Sequence, residues 1–268
     1  MNGFQALVLG IVQGLTEFLP ISSTAHLRIV PHLIGWDDPG AAFSAVIQLG
    51  TLVSVIVYFR GDVVKLSLAA IESLMKRNLW LSGESRLAWA IALGTFPIVL
   101  LGLLFKETIE TEARGLMVIG ISLIVFAVFL FISEKISLQK RVISELSVKD
   151  VLIIGICQAF ALIPGCSRSG STITGGLFLG LKREDAARFS FLLGLPAIAG
   201  SGLFELFSLF EDGLGQTGII EILIGISAAF VSGYYSIELL LNFIKKHGTI
   251  IFVLYRIILG TTILFLWA

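Results

Sequence analysis

The sequence predicts an all-α integral membrane protein with six transmembrane helices and two re-entrant helical hairpins in an inverted-topology repeat. Three observations predict it. Mean hydropathy is +0.96, and only 14% of the 268 residues are charged, against roughly 25% in a soluble domain. Several apolar runs reach the ~20 residues that cross a bilayer. Finally, "FLPISSTAHL" (Phe18 to Leu27) and "LIPGCSRSGST" (Leu162 to Thr172) are near-repeats that set proline, hydroxyls and charge inside apolar sequence.

Residues 4–19 run to Pro20, and residues 22–35 follow as a second short arm. Each arm is too short to cross comfortably, since about 13–16 residues make only ~20–24 Å of helix. The pair reads as a hairpin that enters to mid-depth and returns. Spans are expected at 43–59, 87–105 and 115–133. Residues 151–163, stopped by Pro164, and 166–181 make the second hairpin. Spans at 187–206, 219–241 and 250–267 complete the chain. One membrane domain, 1–268, is expected, with repeats at approximately 1–133 and 146–268.

Positive residues orient the spans. Arg60, Lys65, Lys76, Arg77 and Arg86 lie in 60–86, and Lys135, Lys140, Arg141 and Lys149 in 134–150. Lys182, Arg183, Lys245 and Lys246 fall on the same side. The opposite connections, "WDDPG", "KETIETEARG" and "FEDGLGQTG", are acidic or sparse. The basic side is therefore expected in the cytoplasm, both termini outside, the first hairpin opening outward and the second inward. No cleaved signal peptide is expected, because a basic n-region is missing and Gln13 and Glu17 interrupt the first apolar run. Zero net charge argues against nucleic acid. Cys157 and Cys166 lack metal-type spacing and read as small buried residues.

Gly10, Ile11 and Gln13 match Gly155, Ile156 and Gln158; after one gap, Pro20 matches Pro164 and Ser23 matches Ser167. Three spans between the copies invert the second. Such repeats place their site near the midplane, between broken helices.

The two tips carry the chemistry. Ser22, Ser23 and Thr24 are N-cap types for the first returning arm, as are Ser167 and Ser169 for the second. Two helix N-termini meeting at mid-depth form an anion cradle. Arg168 adds a planar fork suited to phosphate, and Gly165 and Gly170 allow close backbone approach. Gln13 and Glu17 share a helix face and offer oxygen ligands to Mg²⁺ or Ca²⁺. His26 is a candidate nucleophile or acid/base. His32 and His247 lie elsewhere, which argues against zinc. Plainer readings stand beside these: a structural Glu17–Arg168 ion pair, a buried core His26, and ordinary capping serines. Gln48 either lines the same cavity or bonds between helices. Arg256 supports packing or snorkels to a helix end.

"QGLTEFLPISSTAH" and "PGCSRSGST" resemble the two signature motifs of the undecaprenyl-pyrophosphate phosphatase family, the bacitracin-resistance proteins. The likeness spans essentially the whole chain, including "FSFLLGLPAI" (Phe189 to Ile198). It implies hydrolysis of undecaprenyl diphosphate to the monophosphate and inorganic phosphate, which recycles the lipid carrier of peptidoglycan synthesis and confers bacitracin resistance. It also implies a divalent cation on Glu17 and Gln13. Gln13 fills a position that is glutamate or glutamine in the family, so the metal leans on Glu17 and on substrate. The family's serine–histidine pair falls on Ser23 and His26, and its arginine on Arg168. Ser22, Thr24, Ser167, Ser169, Gly170, Thr172 and Gln48 are the expected substrate-binding set. The expected partners are a polyprenyl diphosphate and membrane lipids in the bacterial plasma membrane, with the site opening to the outer face and a homodimer left open. A lipid flippase is the rival or additional role, since the repeat favours a carrier. His26 beside Ser23 speaks for an enzyme.

Overall fold

The computed structural model describes residues 1–211 and 218–267, without the side chain of residue 110. The described secondary structure is helical, with one isolated bridge between Arg141 and Leu181. Most of the "FEDGLGQTG" segment lies outside the described residues.

Helix α1, Gly3–Phe18, begins with a reciprocal cap between Asn2 and Gln5 and ends just before Pro20. The chain turns and re-forms as α2, Ser23–Leu33. Next come α3, Gly40–Tyr58, and α4, Arg60–Met75. Helix α4 falls in a segment read as a basic loop. Its Val64, Leu68, Ile71 and Met75 form one exposed apolar stripe at helical spacing. That stripe is what the loop reading overlooked. Then follow α5, Gly83–Leu104, the short α6, Lys106–Glu110, and α7, Leu116–Ile136.

The second half starts with α8, Val148–Ala159, capped reciprocally by Ser147 and Asp150. A 3₁₀ turn and Pro164 end it, and α9, Arg168–Phe178, follows. The chain closes with α10, Arg183–Glu211, α11, Ile219–His247, and α12, Ile250–Trp267. Six of these helices, α3, α5, α7, α10, α11 and α12, are long and apolar enough to cross a membrane. The chain is thus a multi-pass membrane protein. Helices α10 and α11, at 29 residues each, outrun the expected spans. The charged ends excluded by a hydropathy reading continue as helix; Lys245 pairs with Glu184 at 3.1 Å.

Small residues set the packing. Helix α1 lies on α11, and α8 lies on α5. Gly14 abuts the α11 backbone at Ala229 and Gly233, and Gly155 abuts the Gly94 backbone, with no room for a side chain on Gly14 or Gly155. Close backbone approach of this kind holds helices together where lipid offers no hydrophobic drive. Buried hydroxyls bond back to carbonyls one turn earlier, as in Ser44 to Gly40 (2.7 Å) and Thr95 to Ile91 (2.8 Å). Helix α3 packs on α10 and α11, and α7 packs on α12.

The basic connections are tied to one another. Arg141 donates to Asp150 at 2.7 Å and to the Leu179 carbonyl at 3.0 Å, fastening α8 to the end of α9. The Arg141 hydrogen bond holds the partly exposed Asp150 carboxyl below its ordinary range. A carboxyl depressed in the folded state contributes stability above its unfolded pKa of ~3.9, and that contribution fades as pH falls through the folded value. Asp150→Asn is therefore expected to lose about 1 kcal/mol at pH 7, solvent exposure included. The deficit begins to shrink below about pH 4 and closes as pH falls through the lower folded value. Thermal melts of both proteins across pH 3–7 check this, and a deficit independent of pH would contradict it.

Candidate functional site

Both hairpin tips end in the same unusual turn. Ser22 sits at φ 73°, ψ 98° and Ser167 at φ 70°, ψ 112°. These are left-handed conformations that a non-glycine residue seldom adopts. Each serine caps its helix: Ser22 Oγ accepts from the Ala25 amide at 3.4 Å, and Ser167 Oγ from the Gly170 amide at 3.1 Å. Each also contacts the hydroxyl two residues on, Thr24 at 3.0 Å and Ser169 at 3.2 Å. Ser22 therefore matches Ser167, in the ungapped register that pairs Gly10 with Gly155. The sequence pairing of Ser23 with Ser167 is one residue off, because the prolines drew the alignment.

A buried polar cluster joins the tips. Glu17, 5% exposed, accepts from Gln13 Nε2 at 2.7 Å and Ser23 Oγ at 2.6 Å on one oxygen, and from Arg168 Nη2 at 2.8 Å on the other. Two groups remain unpaired: Gln13 Oε1 and Arg168 Nη1 are buried with no hydrogen-bond partner among the described residues. One is a bare acceptor, the other a bare donor on a permanent cation. Such groups are costly unless a ligand completes them.

Above the cluster lies a cavity of about 440 Å³. Glu17, Ser22, Ser23, Thr24, Ser167, Arg168 and Gln48 line it, with apolar wall from Ala45, Ile98, Val99, Leu103, Ile198 and Phe204. Its rim carries Arg28, Lys106, Arg114 and Glu205, on or beside the acidic connections. A second cavity, about 380 Å³, is lined by the basic connections and crossed by the Asp62–Arg188 pair.

The other expected residues lie off the main cavity. His26 Nδ1 is 2.7 Å from the Ser22 carbonyl, and Nε2 is 2.6 Å from the Tyr255 hydroxyl. A carbonyl only accepts, so Nδ1 carries hydrogen, and Nε2 of the neutral ring accepts the hydrogen bond of the Tyr255 hydroxyl. Ser169 donates to the Leu19 carbonyl at 3.1 Å, fixing one tip to the other. Thr172 bonds the Arg168 carbonyl at 2.7 Å and Ser190 at 2.5 Å. Gly170 packs under the Arg256 guanidinium.

Arg256 corrects the snorkelling alternative. It is fully buried and donates to Leu123 (3.2 Å), Pro20 (3.2 Å), Gly165 (3.0 Å) and Cys166 (2.9 Å) carbonyls. One guanidinium thus stitches both tips to α7. An arginine within an apolar span was the signal for such a role.

The halves are not chemically equal. Gln158 stands where Gln13 stands in the first half, but Leu162 replaces the glutamate four residues on. The Gln158 carboxamide is fully buried and neither atom has a partner among the described residues. Gln158→Met keeps the shape and removes two unsatisfied groups, each costing about 1–3 kcal/mol. A rise of several degrees in the melting temperature in detergent is expected. A fall would show that the carboxamide is satisfied in solution.

Fold and site together define a multi-pass membrane protein that buries a carboxylate–guanidinium pair between two helix N-termini beneath an apolar-walled cavity. The chain belongs to the family described as bacitracin resistance protein BacA, whose family model matches residues 6–262. An undecaprenyl-diphosphatase of Chlorobaculum tepidum is 52% identical over 268 residues, covering 97% of this chain and 95% of that protein. Undecaprenyl-diphosphatases of Chloroherpeton thalassium (49%; 98% and 96% covered) and Myxococcus xanthus (52%; 99% and 89% covered) are similar over comparable lengths.

Proposed function

We propose that this protein hydrolyses undecaprenyl diphosphate to undecaprenyl phosphate and inorganic phosphate in the bacterial plasma membrane, recycling the carrier of peptidoglycan synthesis and conferring bacitracin resistance. The observation that carries the reading is the pair of unfilled groups around Glu17: Arg168 Nη1 seeks an anion, and Gln13 Oε1 seeks a donor or cation. A diphosphate in the cavity, which Arg168 and Glu17 line and Gln13 does not, answers the first, and a counter-cation held on Glu17 would be what meets the second. The apolar wall suits a prenyl tail, and the names of the relatives point the same way.

Residue roles follow from the contacts. Arg168 and the two tip caps hold and neutralise phosphate oxygens. Ser23 Oγ already donates to the Glu17 carboxylate at 2.6 Å, the arrangement of an activated nucleophile and its base. His26, occupied by Ser22 and Tyr255, has no such acceptor. Ser23 therefore attacks the terminal phosphorus and passes its proton to Glu17. The bond from that phosphorus to the bridging oxygen breaks, and the oxygen stays on the lipid. Water then hydrolyses the phosphoserine ester and restores Ser23. Mg²⁺ or Ca²⁺ fits Glu17 and Gln13, both hard oxygen donors. With only two protein ligands, diphosphate oxygens and water would complete its shell. A bound cation would supply charge neutralisation on the diphosphate.

The short paired arms α1–α2 and α8–α9 support two re-entrant hairpins. The matching caps, and α1 on α11 against α8 on α5, support an inverted repeat. The cavity rim on the acidic connections supports an outward opening. A lipid flippase is the second reading, favoured by the alike tips, and it coexists with hydrolysis if the two halves alternate.

The test is phosphate release from farnesyl or undecaprenyl diphosphate by detergent-purified protein with Mg²⁺, Ca²⁺ or EDTA. Release that EDTA abolishes and either ion restores is expected. Folded protein that binds the lipid yet releases no phosphate would leave the carrier reading.

A further inference from the structure

The cavity has a second cationic station that neither motif contains. Arg28 lines it one helical turn beyond Thr24, which also lines it. Residues four apart share a helix face. Arg28 thus shares the cavity-facing side of α2 with Thr24, and its guanidinium reaches Asp38.

Arg28 is held from behind. Its Nε is 3.5 Å from Asp38 Oδ2, and Arg114 Nη2 donates to both Asp38 oxygens at 2.8 and 3.0 Å. Two arginines share one carboxylate, so the triad keeps a net positive charge. The carboxylate is better matched to Arg114, because 3.5 Å exceeds a normal hydrogen bond. Arg28 Nε is accordingly buried without a hydrogen-bond acceptor. Nε faces Asp38, but the side chain is 29% exposed and its two Nη groups make no hydrogen bond among the described residues, so free donors and surplus charge together suit an anion. Lys106, paired with Glu205 at 3.0 Å, stands on the same rim and adds no net charge.

Hydrolysis leaves two anions where one diphosphate lay. The lipid phosphate stays with its tail. The free phosphate must leave through the cavity, and Arg168 faces both products. A second cation toward the rim lowers the barrier to separating like charges.

We propose that Arg28, backed by Asp38 and Arg114, is a second anion subsite of the cavity that takes inorganic phosphate on its way out. The assignment to product rests on the phosphatase reading; the subsite itself does not.

The experiment pairs two readouts on purified full-length protein: titration calorimetry with inorganic phosphate alone, and product inhibition of lipid diphosphate hydrolysis by added phosphate. Arg28→Gln should weaken phosphate binding, and raise its inhibition constant, about tenfold, equivalent to ~1.4 kcal/mol. Arg28→Lys keeps the charge without the fork and should lose about threefold. If Arg28→Gln does not fold, Arg28→Lys carries the test. Phosphate binding should persist in Arg168→Gln. Unchanged phosphate affinity in folded Arg28 variants overturns the subsite, as does binding that vanishes only with Arg168→Gln. A wild type that releases no phosphate from lipid diphosphate defeats the phosphatase reading instead, and calorimetry still decides whether Arg28 binds the anion.

Discussion

Arg168→Lys is expected to lower phosphate release about 100-fold while the protein still folds. The lysine keeps a positive charge near Glu17 but loses the planar fork, which now divides its ends between Glu17 at 2.8 Å and an empty buried donor. Losing one preorganised donor to developing negative charge typically costs 10²–10³ in rate. Arg168→Ala is a poorer test, because it strands the Glu17 carboxylate, and breaking a buried pair costs roughly 3–5 kcal/mol of stability. A second variant isolates geometry from chemistry. A methyl group on Gly194 of α10 would overlap the Arg168 guanidinium. Gly194→Ala should push the guanidinium off its contact with Glu17 and lower the rate by at least tenfold, and it should destabilise less than Arg168→Ala because the cation remains. Steady-state rates beside melting curves read both effects. Near-wild-type turnover in folded Arg168→Lys would remove Arg168 from the chemistry.

Arg256→Met should be the most destabilising single change in the transmembrane helices. It deletes the side-chain donors given to four carbonyls on α7 and both tips. Each stranded carbonyl costs on the order of 1–3 kcal/mol, softened by relaxation. A net loss of about 3–5 kcal/mol is expected, or a melting temperature lower by roughly 10 °C. Activity should fall further than stability explains, because Pro20 and Gly165 position the two caps. Arg256→Lys should recover part of the stability through one or two of the four bonds, and less of the activity. Melting within 2 °C of wild type and unchanged turnover in Arg256→Met would show that the tips hold themselves. Ser122, which donates to the Pro164 carbonyl at 2.5 Å, would then be the anchor to test.

Much of this molecule was legible in its residues. Apolar run lengths located all six candidate spans, and the two prolines stopped α1 and the α8 segment where the helices end. Serine after proline placed the caps, although only conformation selected Ser22 and Ser167 from their neighbours. Gln13 and Glu17 at helical spacing were readable as one face. The sequence offers the Glu17–Arg168 contact only as one of several alternatives, because it joins residues 151 apart.

The rest was decided by packing. His26 follows Ser23 on one turn, so proximity suggested a shared task, yet Tyr255, 229 residues away, holds its ring. Arg28 lies beside the tip serines in sequence, and only the fold brings Asp38 and Arg114 to it. Arg256 read as an awkward charge until three distant segments turned their carbonyls to it. Local sequence determines where a helix starts, stops and turns its apolar face, because caps, prolines and periodicity act over a few residues. It does not determine which distant groups meet a buried polar side chain. In a membrane interior every such group needs a partner, and that choice is made by how the helices pack.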